Sequence, residues 1–196
     1  MGDSAEMSKK LSEISLEELW QLFPIYLTEH DASWATWYAD EEQHLKDHLP
    51  ADRIKRISHI GSTAVKGIWA KPIIDILVEV TPESDLQQIK TILEQAGYLC
   101  MSEDSGRSSF NNGYTENGFA KRVFHLHLRK TGDNDELYFR DYLNAHPDVA
   151  KEYEKLKLSL WKQYEHNRDG YMESKTAFVK EHTQKGKKEF EDWYAR

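Results

Sequence analysis

Hydrophobic and polar positions alternate strictly in two stretches of the chain, the pattern of a β-strand with one buried face. In residues 73–80 the alternation separates two faces, one of Ile74, Ile76, Val78 and Val80 and the other of Ile73, Asp75, Leu77 and Glu79. In residues 122–129 it separates Phe124, Leu126 and Leu128 from His125, His127 and Arg129. The apolar faces predict a common core. The second face of 73–80 carries two carboxylates, so we expect it to be less closely packed than the first.

Helical spacing of apolar residues accounts for much of the remaining chain. Ser15 and Glu18 have the spacing of a capping box and predict a short helix over residues 15–22. Longer helices are predicted over residues 31–48, 82–96, 135–145, 148–166 and 169–193. Further strands are predicted near residues 53–60 and on either side of a polar loop at residues 106–109. We therefore expect an α/β fold with a helical C-terminal segment.

Length, charge and cysteine content narrow the classes of protein that fit. With 196 residues, the chain is expected to form one domain over residues 15–196, preceded by a disordered tail at residues 1–14. Its 26 Lys and Arg against 34 Asp and Glu give a net charge of −8, which argues against general nucleic-acid binding but not against one small phosphorylated ligand. Asp75 interrupts the longest apolar stretch, so no membrane span is expected. The single cysteine, Cys100, excludes an intrachain disulfide, and we expect a cytoplasmic protein.

Residues 59–75 carry the clearest chemical signal. Gly61 ends an apolar strand, and Ser62 and Thr63 follow at a turn where backbone N–H groups and hydroxyls could bind phosphate oxygens. An ordinary loop has the same pattern. The phosphate-binding interpretation is strengthened because Lys71 leads into a strand that places a carboxylate, Asp75, 13 residues after Ser62.

Asp75 is the sharpest single candidate because a carboxylate in the middle of a strand needs a partner or solvent. Either it binds a cation or it is held in an ion pair with Lys71 or Arg129. His125 and His127 lie about 6–7 Å apart on one strand face, which suits a metal ion or two contacts along a phosphate chain. The alternative for the histidines is a structural pair, hydrogen-bonded to its neighbours.

The predicted C-terminal helices add cations. Lys175 lies on the inward stripe of its helix and is a candidate phosphate ligand. Arg140 is another candidate, with a local salt bridge to Asp141 as the alternative. Lys157 is expected on a solvated helix face.

Three blocks of the sequence, in this order, closely resemble the GrpB-like family: HIGSTAVKGIWAKPIIDILVEV, FHLHL and FRDYLNAHPDVAKEYEKLK. The resemblance extends from about Trp20 to Phe190 and includes a later Y-x-x-x-K-x-x-F pattern, here Tyr171, Lys175 and Phe178. The chain departs from the family at Lys66, where proline usually precedes the glycine, and this departure affects a loop.

The resemblance implies a nucleotidyltransferase-like fold, a mixed β-sheet flanked by helices. In that superfamily a Gly-Ser turn binds the nucleotide triphosphate, and two carboxylates spaced D-x-D/E, with a third on a neighbouring strand, hold two magnesium ions. By this resemblance Gly61 and Ser62 correspond to the turn, and Asp75 to the first carboxylate. Leu77 stands at the position of the second, and Glu79 could replace it only in a site displaced by about 6–7 Å.

The sequence leaves three functions open. The first is a metal-dependent transferase of nucleotidyl or phosphoryl groups, acting on a nucleotide or phosphorylated small molecule. The second, favoured by Leu77, is a non-catalytic module of the same fold that binds a nucleotide or phosphate ligand, and the third is a metal-dependent hydrolase. The predicted catalytic and metal-binding residues, for Mg²⁺ or Mn²⁺, are Asp75, His125 and His127. The predicted phosphate-binding residues are Gly61, Ser62, Thr63, Lys71, Arg140 and Lys175.

Overall fold

The sheet organises the molecule, and its polar residues face the helices of the C-terminal half. The computed structural model describes residues 15–191 and 193–194, so the tail predicted at residues 1–14 lies outside the described residues. The strands are β1 (Ile54–Ile60), β2 (Ile74–Val80), β3 (Leu99–Asp104), β4 (Arg107–Thr115) and β5 (Gly118–Lys130). Their order across the sheet is β1-β2-β5-β4-β3, with β2 and β5 parallel and the other pairs antiparallel. The expected α/β fold with a mixed sheet is confirmed.

Helices cover both faces of this sheet. They are α1 (Leu16–Leu22), α2 (Ser33–His48), α3 (Leu86–Gln95), α4 (Asp135–Ala145), α5 (Pro147–Tyr164) and α6 (Arg168–Glu189). The predicted capping box at Ser15 and Glu18 starts α1. In the described residues, no helix combines the length and apolar character that crossing a membrane requires.

The apolar face of β2 is the centre of the main core, as the alternation predicted. The core side chains from this strand and β5 pack against α2 and α3 and include Ile74, Ile76, Val78, Val80, Leu126, Leu128, Trp34, Leu45, Ile89 and Leu93. On the opposite face of the sheet, Leu77 and Ile60 pack against Leu137 of α4. Asp75 near the start of β2 and His125 and His127 in the C-terminal half of β5 lie on this opposite face.

The expectation of looser packing on the second face of β2 is wrong for its C-terminal half. Leu77 and Glu79 are both fully buried. The Glu79 carboxylate accepts hydrogen bonds from the Gly132 backbone N–H and the Asn134 side chain at 3.1 and 3.0 Å, and it lies 3.4 Å from Arg56. Both hydrogen bonds go to Oε1, whereas the buried Oε2 accepts no hydrogen bond and faces the Arg56 guanidinium.

The largest differences between the predicted boundaries and the structure are three. The helix after β2 begins at Leu86 rather than at residue 82, because Asp85 accepts the free N–H groups of its first turn. The predicted loop at residues 106–109 is mostly strand, since β4 begins at Arg107. The last helix ends at Glu189 rather than at residue 193.

Candidate functional site

Asp75 lies at the centre of a polar cluster on the helix-covered face of the sheet. In the parallel pairing of β2 and β5 it lies opposite His125, and His127 follows on the same face of β5. Its Oδ1 atom is 3.4 Å from His125 Nδ1 and 3.5 Å from His127 Nε2. Burial by itself raises the pKa of the Asp75 carboxyl, but the two imidazoles hold that pKa well below its usual range. Asp75 is therefore an ionised carboxylate.

Further polar side chains hold the far sides of both imidazoles. His125 Nε2 is 2.8 Å from the Tyr114 hydroxyl, which accepts a hydrogen bond of 3.2 Å from Arg168. His127 Nδ1 is 3.4 Å from Nη2 of Arg129, which is buried on β5. Burial lowers the pKa of His125, although Asp75 opposes the shift. Both rings are thus oriented towards Asp75 by groups behind them.

The Gly-Ser turn lies directly against the Asp75 carboxylate. Gly61 has φ +70° and ψ −171°, a combination that is nearly restricted to glycine. A Cβ atom there would overlap Asp75 Oδ2 and come within 2.9 Å of Asp75 Cβ. The absence of a side chain at Gly61 therefore lets the turn and the carboxylate approach each other.

The two hydroxyls of the turn point to different partners. The Ser62 side chain lies beside the Tyr153 hydroxyl on α5. Burial raises the pKa of Tyr153, and Ser62 lowers it. Thr63 is buried, and its hydroxyl donates to the Ile73 carbonyl at 3.2 Å and lies 2.9 Å from His59 Nε2. Ser62 is accordingly placed near the cluster, whereas Thr63 fastens the turn to the start of β2.

Cations from three segments surround the Asp75 cluster. The charges of Lys71 and Lys175 both act on Asp75 and on each other, and Arg168 acts on Lys71 and His125. The Lys175 ammonium lies 4.5 Å from the centre of the Tyr171 ring, and the Lys71 ammonium lies 5.9 Å from it. Within the described residues, neither lysine donates a hydrogen bond to a protein atom or forms a salt bridge. Two ammonium groups are thus available to an external anion.

Lys157 belongs to the same group, and the prediction that it is solvated is wrong. Its side chain is 2% exposed, lies 4.9 Å from the Tyr153 ring centre and donates a hydrogen bond to the Trp69 carbonyl. The cause lies in its spacing, because it follows Tyr153 by four residues and precedes Leu160 by three on the buried stripe of α5.

Burial lowers the pKa of all three lysines. Burial and the neighbouring cations lower the pKa of Lys71 to about 7 and that of Lys157 to about 7. Burial lowers the pKa of Lys175 to about 8, although Asp75 opposes this shift. A lowered lysine pKa indicates that nearby carboxylates do not balance the buried ammonium charge. Clusters of such groups are typical of functional sites, including those that bind anions.

Charged residues of α5 hold the loop that carries Lys71. Lys151 Nζ donates to the Gly67 carbonyl at 2.8 Å, and the Trp69 N–H donates to Glu154 Oε2 at 2.7 Å. Lys157 binds the Trp69 carbonyl, as described above. These contacts fix the loop backbone, which otherwise has no regular structure between the turn and β2.

Arg140 lies outside the lysine cluster. Its guanidinium donates to Asp141 Oδ1 at 2.7 Å, to the His59 carbonyl at 2.8 Å and to the Tyr194 hydroxyl at 2.9 Å. The alternative of a salt bridge with Asp141 is the observed arrangement. These hydrogen bonds occupy the guanidinium, and they join α4 to β1 and to the C-terminal segment.

The trio predicted to bind metal is joined by its own contacts. Among the described residues, no group of three or more His, Cys, Asp or Glu side chains is arranged to hold a metal ion. His125 and His127 point their nitrogens at Asp75 itself, Leu77 is apolar and buried, and Glu79 is bound to other groups. Asp75 is the one carboxylate that the described residues bring to this cluster, so they do not fit a pair of cations.

Sequence reasoning missed several residues that line the cluster. Lys157 and Tyr153 could have been found from their three- and four-residue spacing on the buried stripe of α5. Tyr114 and Arg168 carry no such signal, since the pairing of β4 with β5 and the docking of α6 bring them to His125.

Comparisons with known proteins agree on one family. A family profile described as "GrpB protein" matches residues 24–185. Over 164 residues the chain is 38% identical to the glutamate-rich protein GrpB of Alkalihalophilus pseudofirmus, covering 80% of this chain and 92% of that protein. It is 35% identical to the UPF0157 protein YqkA of Bacillus subtilis over 77% of this chain, but spans only 44% of that longer relative.

Solved structures give the same result. The crystal structure of the conserved protein GrpB from Enterococcus faecalis superposes with a TM-score of 0.73 at 32% identity, covering 84% of this chain and 99% of that one. A more distant likeness, with a TM-score of 0.47 and 14% identity, covers 76% of this chain and 46% of the Cid1 poly(U) polymerase with MgGTP bound.

Proposed function

The chain belongs to the GrpB family. From this membership and from the cations around Asp75, we propose that the protein binds a nucleotide or another phosphorylated small molecule. We further propose that it transfers a nucleotidyl or phosphoryl group from this ligand. The nucleotidyltransferase-like resemblance of the motifs favours this reaction class. The ligand would lie on the helix-covered face of the sheet, between the Gly-Ser turn and α6.

One observation carries the proposal. Lys71 and Lys175 come together with Lys157, and Arg168 adds its charge beside Lys71. Asp75 is the one carboxylate whose charge acts on Lys71 and Lys175, and Glu154 is the one that acts on Lys157, so cations outnumber carboxylates in this cluster. Keeping several cations close together without partners costs stability, and a protein that keeps them gains it back when an anion binds. A chain of phosphate groups supplies several negative oxygens within the space of such a cluster.

The roles of individual residues follow from their positions. Lys175 and Lys71 would hold phosphate oxygens, assisted by Ser62 and the backbone N–H groups of the turn. Asp75 would hold one divalent cation, Mg²⁺ or Mn²⁺, which neutralises phosphate charge when it is bound. His125 and His127 would keep Asp75 ionised and correctly oriented. The ligand class, together with the single thiol of Cys100, fits a protein of the cytoplasm.

A non-catalytic binding module is the second candidate, and a specific observation favours it. The position of the second carboxylate is taken by Leu77, which is fully buried against α4, and Glu79 is held by Gly132 and Asn134. A site with one acid can bind a phosphorylated ligand and its cation without promoting transfer. The two candidates differ in turnover and share the binding site.

Calorimetry with inorganic tripolyphosphate tests the shared binding site. We expect Lys175→Met to weaken tripolyphosphate binding at least about tenfold, because a buried charge-assisted contact is worth roughly 1.5–3 kcal/mol. The matched control is Lys185→Met, on the same helix, where the lysine is exposed and paired with Glu181. Equal loss in both variants, or no loss in either, would reject the lysine cluster as a phosphate site.

MgATP distinguishes transfer from binding. In the presence of an acceptor, nucleotidyl transfer from MgATP releases pyrophosphate and phosphoryl transfer releases ADP, and Asp75→Asn abolishes the release. In the binding module no product forms, although ATP binds. Product formation that persists in Asp75→Asn would contradict the proposed role of that carboxylate.

A further inference from the structure

A cavity opens near Lys71, at the edge of the proposed phosphate site. It is a cleft of about 580 Å³ between the loop after α1, the N-terminal half of α2 and the start of β5. Four aromatic side chains line it, the buried Trp34 together with Tyr26, His30 and Trp37. Its volume lies in the range of sites that enclose a small organic molecule.

The cleft lies next to Lys71, one member of the lysine cluster. A small adjoining cavity is lined by Lys71, Ile73 and Val123, and it shares Tyr26 and Pro72 with the cleft. Ile73 and Val123 precede Asp75 and His125 by two residues on the same strand faces, a step of roughly 6–7 Å along the sheet. Lys71 thus faces the phosphate site on one side and the path to the cleft on the other.

The charges of the two regions differ in sign. The cleft is lined by the carboxylates of Glu29 and Asp31 and by a single lysine, Lys121, whereas the adjacent cluster holds Lys71 and Lys175. An anionic group therefore prefers the cluster, and an uncharged ring, above all one that can donate hydrogen bonds, prefers the cleft.

Tyr26 occupies the junction between the two cavities. It is 37% exposed, more than its size and apolar ring favour, and its ring lies 6.2 Å from that of Phe119. An exposed aromatic side chain at the mouth of a cavity offers a face on which a planar ring can stack.

We propose that the cleft bounded by Tyr26 and Trp37 binds the ring of the phosphorylated ligand. The substrate class is then a phosphate ester that also carries a planar ring, separated from its phosphates by a spacer about the size of a sugar. This assignment rests on the proposed phosphate site at Lys71 and Lys175. It excludes small phosphorylated metabolites that lack a ring as the preferred ligands, because they would leave the cleft empty.

The comparison of ATP with tripolyphosphate separates the ring from the phosphates. We expect Tyr26→Ser to weaken ATP binding by roughly tenfold, in the range of ring stacking contacts, and to leave tripolyphosphate binding unchanged. Met101→Ser is the matched control, since Met101 is a similarly exposed apolar residue on β3, away from the cleft. The affinities come from calorimetry on the full chain, and the Tm of each variant shows that it is folded.

Each outcome has one meaning. Loss of ATP affinity in Tyr26→Ser alone, with tripolyphosphate unaffected, supports the ring subsite. Equal affinity of the unaltered protein for ATP and tripolyphosphate overturns it while the phosphate site stands. If neither compound binds, the proposed function itself fails, and a Tyr26→Ser variant that loses both ligands equally overturns the assignment of Tyr26 to the ring alone.

Discussion

Asp75 and His125 lie directly opposite each other on the parallel strands β2 and β5, and the imidazole Nδ1 is 3.4 Å from the carboxylate Oδ1. The hydrogen-bond chain behind the ring fixes its tautomer. Arg168 can only donate, so the Tyr114 oxygen accepts from it and the Tyr114 hydroxyl hydrogen points to His125 Nε2. His125 consequently carries its proton on Nδ1, towards Asp75.

The neighbouring ring has the opposite tautomer. Arg129 also can only donate, and it faces His127 Nδ1, so the proton of a neutral His127 is on Nε2, again towards Asp75. We expect side-chain ¹⁵N NMR to show Nδ1–H at His125 and Nε2–H at His127. In Tyr114→Phe, we expect the fixed tautomer of His125 to be lost and that of His127 to be kept. Identical tautomers for both rings in the unaltered protein would refute this account.

The Gly-Ser turn offers a matched pair of glycines. Gly61 and Gly67 have nearly equal φ angles, +70° and +71°, but only at Gly61 would a Cβ meet other atoms, those of Asp75. We expect Gly67→Ala to cost about 1–2 kcal/mol of unfolding free energy and Gly61→Ala to cost about 3 kcal/mol or more. Urea denaturation measures both. Equal costs would mean that the approach of the turn to Asp75 contributes nothing.

Stability is expected to rise with pH above neutrality. The pKa values of Lys71 and Lys157 are about 7 in the folded protein, that of Lys175 is about 8, and all three are near 10.5 when unfolded. Between these limits the unfolded chain binds more protons, so the free energy of unfolding increases with pH. Urea denaturation at about pH 7 and pH 9 measures the increase, which Lys157→Met should reduce.

Anion binding should change with pH in the opposite direction. Only protonated lysines attract phosphate, so tripolyphosphate affinity should fall as the pH rises through the folded pKa values of about 7 to 8. Calorimetry over this range measures the trend. An affinity that stays constant up to about pH 9 would show that these lysines do not contact the anion.

Arg140 is expected to affect folding and to leave ligand binding unchanged. Its guanidinium joins Asp141, the His59 carbonyl and Tyr194, so Arg140→Gln should lower the unfolding free energy by about 1–3 kcal/mol. Tripolyphosphate affinity should stay within about twofold, a difference well below 1 kcal/mol. A tenfold weaker affinity in a folded variant would return Arg140 to the list of phosphate ligands predicted from the sequence.

The two strands of the site could be predicted because their alternation is local information. Residues 73–80 and 122–129 showed which side chains share a face, and the structure places Asp75, His125 and His127 on one face. The predicted loop at 106–109 was wrong because serines have weak strand propensity, and pairing with β5 overrides it.

The long-range parts of the site could not be derived in the same way. Lys157 was placed in solvent because lysine usually is exposed, although its spacing along α5 put it on the buried stripe. The contacts of Arg140 depend on the position of Tyr194 in the folded chain, and the contact of Tyr114 with His125 depends on strand pairing. Neither contact has a signature in the sequence near those residues.

The loop that precedes Lys71 depends for its position on helix α5, whose contacts with Gly67 and Trp69 join residues 84 to 88 positions apart. Because these contacts close long loops and lie outside the sheet, we expect them to open before the central sheet does. If α5 detaches, Gly67 and Trp69 lose their backbone partners, while the Ala70 bridge to Thr28 and the hydrogen-bonded sheet can persist. Amide hydrogen exchange would then report faster opening at Trp69 than at Ile76. Anion binding would then require that α5 is docked on the loop. A bound anion would therefore slow amide exchange in α5, although this helix is far from the turn in the sequence.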